Sequence, residues 1–407
     1  MTQLRILAVS MSARPHGIGG MEDHLHTLTA ELARRGHHVS VITARHPDGV
    51  DAESVDGVRW IYVDSDPHWL APEWAPELRR AVERHLAEEE VDVVHSQSSS
   101  ALPLVRDPVA GQPPVVVSLH GNYLSIVGAT VRTAALAPSP RAFVRAGLGI
   151  ARISRLHFAG GNWRLFRGCH TSVPSRSQIR PSRWSHLLQR SHVHVVPSGV
   201  DTDFFRPLPQ AAARSALGLH ETAPIALYIG RLDRGKGPQV AVEALALLDD
   251  VPDARLVLVG DGPWQGELEQ LARRLGVLDR VTFAGRVPPE RVVDYLAASD
   301  VLVFPTQLAE AGPLTVAQAM ATATPVVASR IGAVPEMVGP EGTSALLVRP
   351  GRAAEIADAL RLLFTDPELG ARLGANGRAR VLEQMTIERM TDEMTRVYGL
   401  ALRNGSS

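Results

Sequence analysis

Apolar residues along the chain gather into short, mostly continuous β-branched runs, separated by stretches whose apolar positions recur at helical spacing. In the first half the runs occupy residues 4–9, 39–43, 58–63, 91–95, 115–119 and 193–196. Continuous rather than alternating runs predict strands of a parallel sheet covered on both faces. Between the first two, Met21, Leu25, Leu28 and Leu32 fall on one face of a helix that Gly36 should stop. Near residue 197 the pattern lapses. The segment PSGVDTDFFRPLPQ carries three prolines and little periodicity, and reads as an interdomain linker. Alternation then restarts, with strands at 225–229, 255–259, 280–283 and 301–304 and helices at 239–248, from 265, and at 290–297. The tail, 367–402, reads as helical throughout. Two α/β domains joined by a hinge are therefore expected.

Composition adds mainly exclusions. A chain of 407 residues, 45% hydrophobic and 21% charged, is long enough for two cored domains. A net charge of −1 leaves no electrostatic footprint for nucleic acid. The single cysteine, Cys169, excludes an internal disulfide and a cysteine-based zinc cluster, and reads as a small buried hydrophobe. The first residues read as a strand rather than a leader, and no apolar span of about 18 residues occurs, so a cytoplasmic protein is expected. One stretch, 122–166, is basic and studded with apolar residues, with Arg132, Arg141, Arg145, Arg152, Arg155, Arg164 and, just beyond, Arg167. It reads either as solvated helix surface or as a face for an anionic acceptor or a membrane surface.

Candidate chemistry clusters at strand ends. After the 301–304 run, Pro305 ends the strand and a polar loop carries Glu310. Gly312 as N-cap and Pro313 at the first helical position should start a helix whose opening amides, Gly312 to Thr315 with Leu314 between, lack intrahelical partners and suit an anion. Gln318 lies eight residues beyond Glu310, so a carboxylate and an amide could bracket a polyol. After the 225–229 strand, the glycine-rich GRLDRGKG places Arg231 and Lys236 five residues apart, a guanidinium and an ammonium able to reach one diphosphate. Gly19 and Gly20 precede the first predicted helix, again a phosphate-binding order, although not a GxGxxG fingerprint. His120 ends the 115–119 strand. The sequences Asp64-Ser65-Asp66 and Asp201-Thr202-Asp203 read as turn and cap chemistry rather than metal ligands, and His192 and His194 have no metal-ligand spacing.

These motifs resemble the GT4 family of retaining glycosyltransferases. The resemblance rests on Glu310-x7-Gln318 before PVVA, on GRLDRGKG, on GIGGME, on PSGVDTDFFRP and on IGAVPE around Glu336. It implies a GT-B fold: an N-terminal Rossmann-like acceptor domain (1–196), a C-terminal Rossmann-like donor domain (197–385) facing it across a cleft, and a last helix (386–407) crossing back. The implied donor is a UDP- or GDP-sugar. Glu310 would hold its hydroxyls, Gly19 and Gly20 would lie against diphosphate or acceptor, and Glu336 and the backbone of 283–287, ending at Val287, would lie near the nucleotide. His120 would stand beside the donor sugar. Arg231 and Lys236 would stabilise the leaving diphosphate, so no cofactor and no metal is expected. The acceptor could be a small molecule, a lipid carrier or a polysaccharide. One departure stands out, because Gln318 occupies the place of a second Glu expected to hold the ribose, and a neutral amide binds hydroxyls less strongly. That departure leaves open a GT-B epimerase, phosphorylase or pseudo-glycosyltransferase, and a sugar-nucleotide-binding protein without turnover.

Overall fold

A strand that is apolar on both sides needs two layers of cover, and both sheets of this protein have them. The computed structural model describes residues 3–17, 19–68, 71–121, 127–128, 130–131, 140–155, 167, 169–186 and 192–404. They divide into two units, one of Met1–Val127, Leu148–Gly199 and Ile387–Ser407, the other of Gly128–Gly147 and Val200–Thr386.

The first unit is built on eight strands: β1 (Arg5–Val9), β2 (His38–Thr43), β3 (Ala52–Val55), β4 (Val58–Tyr62), β5 (Val93–Gln97), β6 (Val115–Ser118), β7 (His170–Val173) and β8 (Val193–Val195), in the order β3-β4-β2-β1-β5-β6-β7-β8. Side chains alternate between two core layers. Ile6 and Ala8 of β1 face one, Leu7 and Val9 the other. All pairings are parallel except β3 with β4. The sequence reading did not anticipate β3. The hairpin turns on Asp56 and Gly57, both at positive φ, an Asp-Gly signal of the tight antiparallel turn. It also missed β7, whose His170, Thr171 and Ser172 are polar yet buried. Their side chains are satisfied: Ser172 Oγ meets Ser118 Oγ at 2.8 Å and His170 Nδ1 meets His194 Nε2 at 3.0 Å across the sheet, while Thr171 Oγ1 donates to Cys169 C=O at 3.3 Å.

The second unit holds β9 (Ile225–Ile229), β10 (Arg255–Val259), β11 (Val281–Gly285), β12 (Val301–Phe304), β13 (Val326–Ser329) and β14 (Leu346–Val348), all parallel, in the order β11-β10-β9-β12-β13-β14. Again the faces separate: Ala226, Leu256 and Val301 belong to one core, Leu227, Val257 and Leu302 to the other. This is a doubly wound sheet. The strand order reverses between β9 and β12, so the loops leaving those two strands diverge around a crevice, the place where such sheets bind ligands.

One expectation needs correction. The tail is not one helix. Helices Pro367–Gln384 and Ile387–Asn404 are separated at Met385 and Thr386, because Thr386 pairs in a parallel bridge with Val200 and so cannot be helical. The last helix belongs to the first unit, where Met390, Met394, Val397, Tyr398 and Ala401, at helical spacing, join the core containing Ile6 and Leu25. The 197–210 segment, read as a linker, holds a boundary between the two units, at Gly199 and Val200; Val200 and Phe205 within it are buried, and Asp201 Oδ1 accepts from the N–H groups of Asp203 and Phe204, the turn role expected of it. Asp64 pairs with Arg45. Among the described residues no helix is long and apolar enough to cross a membrane. Of the basic stretch, Arg132 and Arg164 and the side chains of Arg141 and Arg145 lie outside the described residues, while Arg152, Arg155 and Arg167 are exposed.

Candidate active site

In the second unit the loops after β9 and β12 are locked together before any side-chain chemistry is considered. Gln307 N–H donates to Gly235 C=O at 2.8 Å. Gly237 has φ +79°, and a Cβ there would stand 2.1 Å from Pro305 O, so only glycine permits this approach. Asp233 caps the short turn Arg234–Lys236, its Oδ1 accepting from Lys236 N–H at 3.1 Å. The Lys236 ammonium is thereby aimed across the switch point, where Nζ donates to Glu310 Oε1 at 2.7 Å. Thr306 Oγ1 donates to the same oxygen at 3.2 Å.

Glu310 is held from behind as well. Ala333 N–H donates to its C=O at 2.9 Å, and Gly332 lies so close that a Cβ would fall 2.5 Å from Glu310 O. The helix Val334–Val338 begins at this contact and carries Glu336, half-buried and helical rather than in an open loop. Arg231 leaves the same loop as Lys236. Its side chain is 69% exposed, with Asp233 at 3.8 Å, and its carbonyl accepts from the buried Tyr228 hydroxyl at 2.8 Å. Val287, just past β11, is half-buried against the second core layer.

The helix after Glu310 starts one residue later than expected. It runs Leu314–Ala321 with Pro313, not Gly312, as N-cap. Pro313 has a non-helical ψ of 108°, and its C=O accepts the first helical bonds from Val316 and Ala317. Leu314 and Thr315 stand at the first two helical positions, where no carbonyl of the helix reaches their N–H groups. Gln318 follows in the second turn, half-buried.

In the first unit, Gly19 is the N-cap of the helix Gly20–Arg34. A Cβ on Gly20 would meet nothing within 4 Å, and one on Gly19 only the flexible Glu22 carboxylate; packing therefore does not demand glycine at either position. His120, after β6, hydrogen-bonds through Nε2 to Gln97 Oε1 at the end of β5. With that carbonyl as acceptor, Nε2 carries the proton and Nδ1 a lone pair. The His24 ring stands edge-on to His120, centroids 4.7 Å apart. Burial pushes His120 down to about 4, so it is neutral near pH 7. His95 is structural: fully buried, it meets Ser118 Oγ through Nε2 and Tyr398 OH through Nδ1, both at 2.8 Å.

Lys236 and Glu310 thus share one hydrogen bond, whereas Arg231 approaches them only through its loop. The sequence reading missed Asp233, Thr306, Gly332, Gln97 and His24. Only Asp233 had a local signal, an Asp three residues before Lys236 in N-cap position. Among the described residues no group of three or more His, Cys, Asp or Glu side chains could hold a metal.

Sequence profiles match both halves of the chain: Glycosyltransferase Family 4 over residues 18–204 and Glycosyl transferases group 1 over residues 209–380. A D-inositol 3-phosphate glycosyltransferase of Xylanimonas cellulosilytica is 31% identical over 388 residues, spanning 89% of this chain and 87% of that protein. The chain belongs to the group 1 glycosyltransferases. It is accordingly a transferase enzyme, and its two parallel-sheet units are those of the GT-B fold. An MMP α-(1→4)-mannosyltransferase of Mycolicibacterium hassiacum is 28% identical over 98% of both chains. The sucrose-phosphate synthase of Thermosynechococcus elongatus superposes with a TM-score of 0.81 at 25% identity, covering 98% of this chain and 100% of its own. In this glycosyltransferase the loops following β9 and β12, with Lys236 and Glu310, fall inside the group 1 match.

Proposed function

We propose that this glycosyltransferase moves a hexosyl unit from a UDP- or GDP-sugar to an acceptor hydroxyl with retention of anomeric configuration. The observation that carries the reading is the Lys236–Glu310 hydrogen bond of 2.7 Å across the switch point of the second sheet. Transfer breaks the anomeric C–O bond, and negative charge accumulates on the departing diphosphate. Lys236 and the exposed Arg231 provide positive charge from one loop, and the first amides of the Leu314–Ala321 helix add a positive dipole end. Glu310, fixed by Thr306 and by the backbone of Gly332 and Ala333, can accept hydrogen bonds from sugar hydroxyls. The departing diphosphate oxygen then takes the proton of the acceptor hydroxyl as its oxygen bonds to the same face of the anomeric carbon. Neutral His120 would accept a hydroxyl hydrogen bond through Nδ1 rather than act as a cation.

The positive groups take the charge-balancing role, so no metal is required on this reading. Glu336 and Val287 would flank the nucleotide, Gln318 would hold the ribose through its amide, and Gly19 and Gly20 would leave room for diphosphate or acceptor. The names of the relatives support sugar transfer, one to an α-(1→4) linkage and one involving inositol 3-phosphate; small-molecule, lipid-linked and polysaccharide acceptors all fit. Thermal-shift titration with UDP, GDP, ADP and their sugars tests the donor class, since a ligand specific to the folded state raises the midpoint. A selective rise with one nucleoside diphosphate, reduced in Lys236→Ala, is expected. No rise with any of them would refute the donor assignment.

A further inference from the structure

The helices Leu314–Ala321 and Val334–Val338 are both short, so their last carbonyls need partners from beyond the helix. In the first, Gln318 C=O accepts from Thr322 N–H, Ala319 C=O from Thr324 N–H and Met320 C=O from Ala323 N–H. The remaining carbonyl, that of Ala321, accepts from Arg378 Nη1, which also donates to Phe205 C=O at 3.3 Å. In the second, Pro335 C=O accepts from Gly339 N–H. Arg380 serves the next two carbonyls, donating through Nη2 to Glu336 C=O at 2.9 Å and through Nε to Met337 C=O at 2.6 Å. Both arginines project from the helix Pro367–Gln384, which is anchored without them. Its Leu373 sits in one core layer and Val381 in the other, both fully buried, and a Cβ on Gly374 would stand 2.0 Å from Ala323 O. A guanidinium at a helix C-terminus satisfies the free carbonyls and complements the negative end of the dipole. The opposite ends of these two helices are the ones that face the site: the amides of Leu314 and Thr315 open the first, and the second begins after Ala333, whose N–H holds Glu310 C=O at 2.9 Å.

We propose that Arg378 and Arg380 are positioning residues for the transfer reaction. Fixed on the helix Pro367–Gln384, they hold the rear ends of both site helices and thereby set, at the front ends, the amides of Leu314 and Thr315 and the backbone of Glu310. The inference rests on the donor-site role proposed above for those groups. Helices of eight and five residues are about 12 and about 8 Å long. Rods so short do not absorb a shift by bending, so movement at the rear end is passed to the front. The two arginines differ in what they require. Arg380 spans successive carbonyls with two nitrogens, a fork that an ammonium cannot reproduce. Arg378 reaches both its acceptors with one nitrogen, a task that an ammonium can take over.

The test uses the full-length protein with Arg378→Met, Arg378→Lys, Arg380→Met and Arg380→Lys. Methionine keeps an apolar stem and removes the donors. Release of UDP from UDP-glucose and of GDP from GDP-mannose is read below each variant's thermal midpoint, and amide hydrogen exchange is followed over residues 331–338. Both methionine variants should lower kcat about 10- to 100-fold, the range reached by a misplacement of up to about 1 Å. Arg378→Lys should recover most of that loss and Arg380→Lys little of it. Exchange at Ala333 should quicken in Arg380→Met and stay parental in Arg378→Met. A purely structural role would lower the midpoint and leave the folded enzyme's kcat at the parental value. Parental kcat in both methionine variants, or unchanged exchange at Ala333 in Arg380→Met, would overturn the inference and leave the donor reading standing. A parent whose midpoint neither UDP nor GDP raises would refute the donor reading, and this inference with it.

Discussion

Gly332 offers the most direct test of how the fold holds Glu310. Its φ is +62°, and a Cβ would stand 2.5 Å from Glu310 O, 2.6 Å from Glu310 N and 3.0 Å from Ala309 C. All three are backbone atoms, so no rotamer change relieves the overlap. Two effects add in Gly332→Ala. Left-handed backbone costs an L-residue about 1–2 kcal/mol. Restoring ordinary contact requires the two segments to part by about 1 Å, which disrupts the 2.9 Å bond from Ala333 N–H to Glu310 C=O, a loss on the order of 1 kcal/mol. The variant should therefore lose about 2–3 kcal/mol and melt roughly 4–12 °C lower. Catalysis should suffer more, because moving the Glu310 carboxylate by about 1 Å from its place beside Lys236 is the kind of misplacement that costs on the order of 100-fold in rate. Turnover is read as nucleoside diphosphate release from UDP- and GDP-sugars, below the lowered midpoint and with calorimetry alongside. A variant with parental midpoint and parental kcat would refute the argument that Gly332 positions Glu310.

Other outcomes follow from the same geometry. Lys236→Ala and Arg231→Ala should each lower kcat by about 10² to 10³, the loss typical of one donor to developing negative charge; normal turnover in both would remove the diphosphate role. Gly20→Ala places its Cβ in open space, so the midpoint should hold or rise by a fraction of a kcal/mol's worth, and a raised KM at unchanged stability would report a ligand against that backbone. Chelator treatment should leave turnover intact; loss restored by magnesium alone would contradict charge balance by Arg231 and Lys236. Burial pushes His95 down to about 3 and His120 to about 4 from 6.5. Because these folded-state values lie below the unfolded one, the stability they contribute is complete above about pH 6.5 and is lost as pH falls, through about 4 for His120 and about 3 for His95. The thermal midpoint should decline across that window and decline less in His120→Asn, whereas equal slopes would exclude His120 as a source.

Most strands and helices of both units were legible in the sequence, because buried parallel strands must be continuously apolar and their helices amphipathic; β3, β7 and β14 were not. Lys236 and Glu310 were legible as separate candidate residues, since GRLDRGKG and the loop after residues 301–304 each place a charged group at a strand end, although the sequence did not pair them with each other. What the local pattern could not show was anything satisfied at long range. β7 is polar and escaped detection because Ser172 and His170 are satisfied by β6 and β8, across the sheet. Thr386 breaks the C-terminal helix because of Val200, 186 positions earlier. Gly332 is a glycine because of Glu310, and Gly237 because of Pro305. The sequence by itself determined which residue types could do the chemistry and which continuously apolar segments would be strands. Tertiary structure alone decided that strand order reverses between β9 and β12, which brings a cation and a carboxylate 74 residues apart to within 2.7 Å. Backbone-to-backbone approach and register are properties of pairs of segments, and no single segment encodes them.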